Sequence, residues 1–171
     1  MASILKVNTI QDATNSNTAL SIDSSGRITE PNRPAFSVSV NSDAWATVSD
    51  NGVIPFNDKT SGNNFDVGGD FNTSSYRFVA PVAGKYLFSF LTYSFNSDSV
   101  NSFDFNKNGS AFPTSSGGGY AMQGGQSGSV DETITGMIIA DLSASDYVDV
   151  RGTSDSDYYG SFTHFSGHLI G

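Results

Sequence analysis

The clearest pattern in this chain is a predicted strand, Tyr86 to Phe95, that is apolar on both faces. Successive side chains of a strand point to opposite sides. Three aromatic residues therefore share one face and four apolar residues share the other: Tyr86, Phe88 and Phe90, and Leu87, Leu91, Tyr93 and Phe95. A strand with one solvated face would alternate apolar and polar positions. We expect one face to lie in the core and the other to contact a second subunit.

Residues 133–140 repeat this two-sided pattern, since Met137, Ile138 and Ile139 are consecutive and apolar. An isolated subunit would expose a large apolar patch on these strands, which is an aggregation liability. We assign nine residues of the two strands to a subunit interface or the core: Tyr86, Leu87, Phe88, Phe90, Leu91, Tyr93, Met137, Ile138 and Ile139.

Other short apolar runs predict further strands and no helix. They occupy residues 36–40, 45–48, 53–56, 103–105, 147–151 and 162–170, and Gly, Asn and Asp turns separate them. Regular short strands with frequent turns are typical of an all-β sandwich or barrel. Trp45 lies in an alternating run between Ala44 and Ala46, so we interpret it as a buried packing residue.

Residues 1–34 differ from the rest and form a separate amino-terminal segment. Four apolar residues, Ile4, Leu5, Val7 and Ile10, precede a polar run, and Pro31 and Pro34 end the segment. Proline disfavours regular structure around it. Two interpretations stay open: a disordered tail, or a docking segment that orders on a partner.

Composition and charge exclude several functions. The chain has 171 residues, enough for one domain with a core, and a formal net charge of −9. Such acidity repels a phosphate backbone, so we expect no nucleic-acid binding. The absence of Cys excludes disulfides and thiolate metal sites. We find no apolar run long enough to span a bilayer and no signal peptide, so a protein that works outside the cell would leave by another route, such as lysis.

Candidate chemical groups are few. His164 and His168 share one strand face but lie roughly 13 Å apart, so one chain cannot use both on one metal ion. We interpret them as ordinary strand histidines, and three copies of one His on a threefold axis are the other interpretation. Asp155 and Asp157 are weak calcium candidates, and a solvated acidic loop is the other interpretation. No nucleophile elbow or phosphate loop is present, so we expect no enzyme and no required cofactor.

Aromatic and Met side chains in predicted loops are candidate ligand contacts. They are Tyr120 and Met122 in the Gly-rich stretch 117–125, and Tyr158 and Tyr159. Such side chains are adaptable contacts, although a flexible connector is the other interpretation of the Gly-rich stretch.

Five motifs in order resemble the complement C1q globular domain of the tumour-necrosis-factor-like superfamily. They are Pro34 to Val38, Tyr76 to Phe90 with Phe71, Asn106 to Gly109, Leu142 to Val150, and Phe162 to Ile170. Ser145-Asp146 stands where the family usually has Gly-Asp. The resemblance implies a ten-stranded jelly-roll sandwich over residues 35–171 that forms homotrimers and binds ligands through its loops.

The amino-terminal segment is similar to the opening of many structural proteins of marine tailed bacteriophages. The similarity lies in Ala2 to Gln11 and Ser25 to Thr29. It implies a virion protein, assembled in the host cytoplasm and released by lysis. In this interpretation residues 1–34 dock on other virion proteins through Ile4, Leu5, Val7 and Ile10, and the jelly roll is a short tail fibre or tip that binds a host glycan or protein. A trimeric capsid decoration or vertex protein, and a secreted binding module, are the alternatives.

Overall fold

The structure is a computed structural model that describes residues 5–96, 100–112, 114–115, 118–119, 122–124 and 130–171. The chain divides into two compact units, Met1–Arg33 and Pro34–Gly171. Each unit is described by itself below.

The amino-terminal unit contains a three-stranded antiparallel sheet rather than a disordered tail. Its strands are β1 (Thr9–Gln11), β2 (Thr18–Ile22) and β3 (Ile28–Thr29), in that order across the sheet. Two Asp side chains shape the connections: Asp12 Oδ1 accepts from the Thr14 amide at 2.8 Å, and Asp23 Oδ1 accepts from the Ser25 amide at 2.8 Å. Asp side chains commonly close turns in this way.

One face of this small sheet is apolar. Ile10 lies opposite Leu20, and Ile22 lies opposite Ile28. Because Leu20 and Ile22 are two residues apart on one strand, all four side chains share a face. Ile28 is 64% exposed and Ile10 is 47% exposed, so the unit does not cover this face by itself.

The larger unit is built almost entirely from strands. In chain order they are β4 (Ala35–Ser39), β5 (Trp45–Val48), β6 (Phe65–Val67), β7 (Phe71–Asn72), β8 (Arg77–Val79), β9 (Gly84–Asn96), β10 (Asn101–Lys107), β11 (Ser110–Phe112), β12 (Thr114–Ser115), β13 (Gly118–Gly119), β14 (Met122–Gly124), β15 (Val130–Leu142), β16 (Tyr147–Gly152), β17 (Ser156–Tyr159) and β18 (His164–Leu169). A 3-10 turn, Gly160–Phe162, precedes β18.

These strands form two main antiparallel sheets. The five-stranded sheet has the order β15-β9-β18-β4-β6. The second sheet has the order β11-β10-β16-β8-β7, with β14 also paired to β10. Two ribbons, β12 with β13 and β5 with β17, stand outside these sheets. The predicted strand at 53–56 is absent, since only Val53 forms a ladder pair, with Arg151, and Pro55 has no amide hydrogen to donate.

The core is dominated by aromatic rings. Phe36 packs against Phe165 and Phe78, each at 4.9 Å between ring centroids. Such pairs add to the stabilisation that burial of their area provides. Both sheets contribute fully buried rings to the core, and Phe56 adds one from the segment between β5 and β6. The rings from the sheets are Phe36, Phe71, Phe78, Tyr86, Phe88, Phe90, Phe103 and Phe165.

Gly167 is a point of close packing in this core. It lies on β18 opposite Phe36 of β4 and Phe88 of β9. A Cβ atom at this position would lie 2.5 Å from Phe88 Cδ1 and 2.8 Å from Phe36 Cε1. The missing side chain therefore makes room for both rings.

The turn before β16 is held by an Asp side chain. Asp146 accepts hydrogen bonds from Asn108 Nδ2 at 2.7 Å and the Ser143 amide at 2.8 Å, and pairs with Lys107 Nζ at 2.9 Å. These contacts, with the Asn108 bond largest, lower the pKa of Asp146 from 3.8 to about 2. The preceding Ser145 has φ of 72°, a left-handed conformation that favours glycine.

Replacing Gly167 with Ala should destabilise the larger unit, because neither ring can move without opening the core. We expect Gly167→Ala to lower the free energy of unfolding by about 1–3 kcal/mol in chemical denaturation. Gly171→Ala is the matched control, since a Cβ there meets nothing within 4 Å. Equal stability of the two variants would contradict this account of the core.

Lowering the pH should remove the contribution of Asp146 to the free energy of unfolding. Its pKa is lower in the folded state than in the unfolded chain, so the ionised carboxylate stabilises the fold above about pH 4. That contribution is lost as the pH falls towards about 2. Asp146→Asn should lower the free energy of unfolding by about 1 kcal/mol at pH 7 and by much less at pH 2. A deficit of equal size at both pH values would show that the charge is not responsible.

Candidate binding surface

The five-stranded sheet has one buried and one uncovered apolar face. On β9, the side chains of Tyr86, Phe88 and Phe90 are fully buried. The opposite face carries Leu87, which lies across from Ile139 on β15. We call the following residues the outer apolar face: Leu87, Leu91, Tyr93, Met137 and Ile139.

Exposure separates this face from the core. Met137 is 73% exposed and Ile139 is 58% exposed, whereas Ile138 between them packs on the core. Of the nine residues that the sequence assigned to an interface or the core, Ile138 therefore belongs to the core. The neighbouring strand adds two histidines, since His164 lies opposite Leu91 and His168 opposite Leu87. Both His side chains are exposed, and within the described residues no three His, Asp or Glu side chains are grouped to hold a metal ion.

A cluster of aromatic rings adjoins the outer apolar face. Trp45 contacts Tyr93 at 5.7 Å, Phe95 at 6.0 Å and Tyr159 at 5.2 Å between ring centroids. Phe162 extends the cluster by stacking on Tyr159 at 5.3 Å. We call these five residues the aromatic rim.

Trp45 is 46% exposed, so the expectation that it is buried was wrong. The reason lies in the pairing of β5, which joins β17 in a separate ribbon rather than a main sheet. Alternation along β5 turns Ala46 and Val48 towards the core and turns Trp45 and Thr47 outwards.

A groove runs beside Trp45. It has a volume of about 580 Å³, and its described lining residues are Trp45, Ala46, Thr47, Phe95, Asp131 and Asp157. Asp157 Oδ1 accepts a hydrogen bond from Thr47 Oγ1 at 2.6 Å, across the β5–β17 pair. Asp131 lies opposite Phe95, and interaction with its carboxylate raises the pKa of the Tyr93 hydroxyl.

The ligand candidates from the sequence lie in different places. Tyr158 is a core residue with 4% exposure, and burial raises its pKa, so it is not available to a ligand. Its neighbour Tyr159 points to the other face of β17 and donates from its hydroxyl to the Asp43 carbonyl at 3.1 Å. Met122 is partly buried against the core, and Tyr120 lies outside the described residues. Alternation along β17 separates the two tyrosines.

The two acidic candidates do not form a common site. Asp155 is exposed and accepts from the Asp50 amide at 3.1 Å, while Asp157 faces Thr47 in the groove. Both carboxylates therefore have local hydrogen-bond roles.

The amino-terminal candidates belong to the small sheet and the chain before it. Leu5 is exposed, Val7 is partly buried and Ile10 lies on the apolar face, while Ile4 lies outside the described residues. Leu20, Ile22 and Ile28 of that face were not among the sequence candidates. The alternation of Leu20 and Ile22 was the signal that could have found them.

A model of the C1q domain matches residues 35–170, which is most of the chain. The chain belongs to the C1q domain family. Among solved structures, this C1q domain is similar to the globular domain of zebrafish complement 1qA protein, with 26% identity and a TM-score of 0.61 over 81% of this chain and 98% of that one. The expected jelly-roll fold is thereby confirmed.

The tumour-necrosis-factor-like relationship rests on fold alone. Eiger TNF from S. frugiperda has 12% identity and a TM-score of 0.61, over 81% of this chain and 94% of that one. Among curated proteins, none matches this chain. Within the described part of the chain, no helix has the length and apolar character needed to cross a membrane.

Proposed function

We propose that this C1q domain is a non-enzymatic binding module whose subunits assemble into a homotrimer through the outer apolar face. The observation that carries the proposal is the exposure of Met137 and Ile139 beside Leu87 and Leu91 on a regular sheet. Monomeric proteins seldom leave a group of large apolar side chains exposed together on a sheet face in water. The neighbouring subunits of a trimer would cover this patch. Closed rotational symmetry would leave no copy of it exposed to further association.

We further propose that the trimer is a virion protein of a tailed bacteriophage, a short tail fibre or tip. The similarity of residues 2–11 and 25–29 to phage structural proteins supports this origin. The amino-terminal unit would attach to another virion protein through its uncovered face of Ile10, Leu20, Ile22 and Ile28. The jelly roll would then contact a glycan or protein of the host surface.

Charge supports this division of labour. Residues 1–33 contain three basic and three acidic side chains, so the whole formal charge of −9 belongs to residues 34–171. Two ion pairs, Arg27 with Asp23 and Arg33 with Glu30, neutralise part of the amino-terminal unit internally. A neutral unit with one apolar face suits permanent docking, whereas the acidic jelly roll suits a solvated surface.

Met137→Asp should convert the trimer to monomers, because it places a charge in the centre of the proposed interface. Sedimentation should give three times 18.0 kDa for the wild type and 18.0 kDa for the variant. Val82→Asp is the matched control: Val82 is also an exposed apolar residue but lies in the turn before β9, so that variant should stay trimeric. A monomeric wild type, or a trimeric Met137→Asp, would refute the assigned interface.

Ile28→Asp in the full chain should abolish incorporation into particles while leaving the jelly roll folded and trimeric. The substitution charges the apolar face of the amino-terminal unit and leaves the sequence of residues 34–171 unchanged. Incorporation is measured on purified virions and stability by thermal unfolding, with Thr29→Asp on the same strand as control. Normal incorporation of Ile28→Asp would move the attachment surface elsewhere, and electron microscopy of wild-type particles would separate a tail position from a capsid position.

A further inference from the structure

We propose that the groove beside Trp45 is a binding site for an organic cation, of the quaternary or primary ammonium class. The described residues that line this groove all come from a single chain. The inference goes beyond the proposed function. Because Tyr93 belongs to the proposed interface and also contacts Trp45, the experiment below records assembly separately from cation binding.

The aromatic part of the groove is held in place before any ligand binds. Trp45 contacts the rings of Tyr93, Phe95 and Tyr159 at 5.2–6.0 Å, yet 46% of its surface stays exposed. Its neighbours fix the indole, and its open surface is available to a ligand. Trp provides the strongest cation–π partner among the aromatic side chains.

The charged part of the groove is negative and lacks a basic neighbour. Asp131 and Asp157 are the charged side chains among the described lining residues. Neither takes part in the ion pairs found within the described part of the chain. The Thr47 hydroxyl donates to Asp157 Oδ1 at 2.6 Å, and Asp131 lies on β15 opposite Phe95 of the groove. Two carboxylates beside an open indole create a strongly cation-attracting site.

This combination distinguishes between ligand classes. Anions would be repelled by two carboxylates and by the acidic domain around them. A neutral sugar could stack on Trp45 but would leave both negative charges without a counter-charge. A simple metal ion would use the carboxylates and leave the indole unused. An ammonium group that carries methyl or methylene substituents matches both features, and about 580 Å³ accommodates it together with an attached substituent.

The single Trp of the chain is a direct reporter, because Trp45 itself lines the groove. Choline chloride is the probe, titrated into the full-length protein while tryptophan emission is recorded. Sodium chloride at equal ionic strength and methyl α-D-glucopyranoside are the comparison solutes. We expect a saturable change in emission with choline chloride and no saturable change with either comparison solute.

Variants then locate the site. Asp157→Asn and Asp131→Asn should each weaken choline affinity by roughly threefold to tenfold, as expected for partly exposed charge contacts. Asp155→Asn is the matched control, because this exposed carboxylate lies outside the groove. The variant should bind choline with the same affinity as the wild type. For Trp45→Ala, which lacks the reporter, saturation transfer to the choline methyl protons should disappear while circular dichroism shows a folded protein.

Four results would overturn the proposal. They are no saturable choline effect in the wild type, an equal effect with sodium chloride, saturation by the glucoside without saturation by choline, and unchanged choline affinity in both Asn variants. Sedimentation of each variant under the same conditions records the trimer separately. A failure of the cation site is therefore distinguishable from a failure of the proposed assembly.

Discussion

Phe36 and Phe88 close over Gly167, and this contact holds the middle of the five-stranded sheet together. Gly167 lies between the two rings on the strands to either side, where a Cβ atom would come within 2.8 Å of both. The rings can therefore reach Phe165 and Phe78 and fill the space between the sheets. Because side chains alternate, a β9 that buries Phe88 inwards must present Leu87 outwards. The outer apolar face is thus a direct consequence of the packing of the core.

The same alternation explains the aromatic rim. Ribbon β5–β17 turns Val48 and Tyr158 inwards, so Trp45 and Tyr159 are directed away from the core. The Trp45 ring contacts both Tyr159 and Tyr93, and Tyr93 lies near the end of β9, where the outer apolar face and the groove adjoin. The five-stranded sheet and the β5–β17 ribbon therefore supply two surfaces of different chemistry, an apolar face suited to sister subunits and an acidic aromatic groove suited to a cation.

Local sequence patterns predicted the fold well. The alternation of side chains along a strand and the Gly of a tight turn can both be recognised from neighbouring residues alone. The two faces of β9 and the turn between β10 and β11 are as expected. Ser145 shows how a departure from a family motif is tolerated, since it adopts φ of 72° while Asp146 keeps the turn's hydrogen bonds. Trp45 could not be placed from sequence, because its exposure depends on pairing with Tyr159, more than one hundred residues away. The groove was missed for the same reason, since Asp131 and Asp157 come together with Trp45 only through the fold.

The central claim is that the outer apolar face is covered in solution, and the methionine methyl groups offer the most direct test. The chain has three Met residues, and methyl-labelled protein gives one signal for each. Met122, partly buried against the core, is the internal reference, while Met137 is 73% exposed in a single chain. A soluble nitroxide broadens the signals of methyl groups that it can reach. If the outer apolar face is covered, the Met137 methyl signal should persist in its presence as well as the Met122 signal does. Strong broadening of the Met137 signal while the Met122 signal persists would contradict the account.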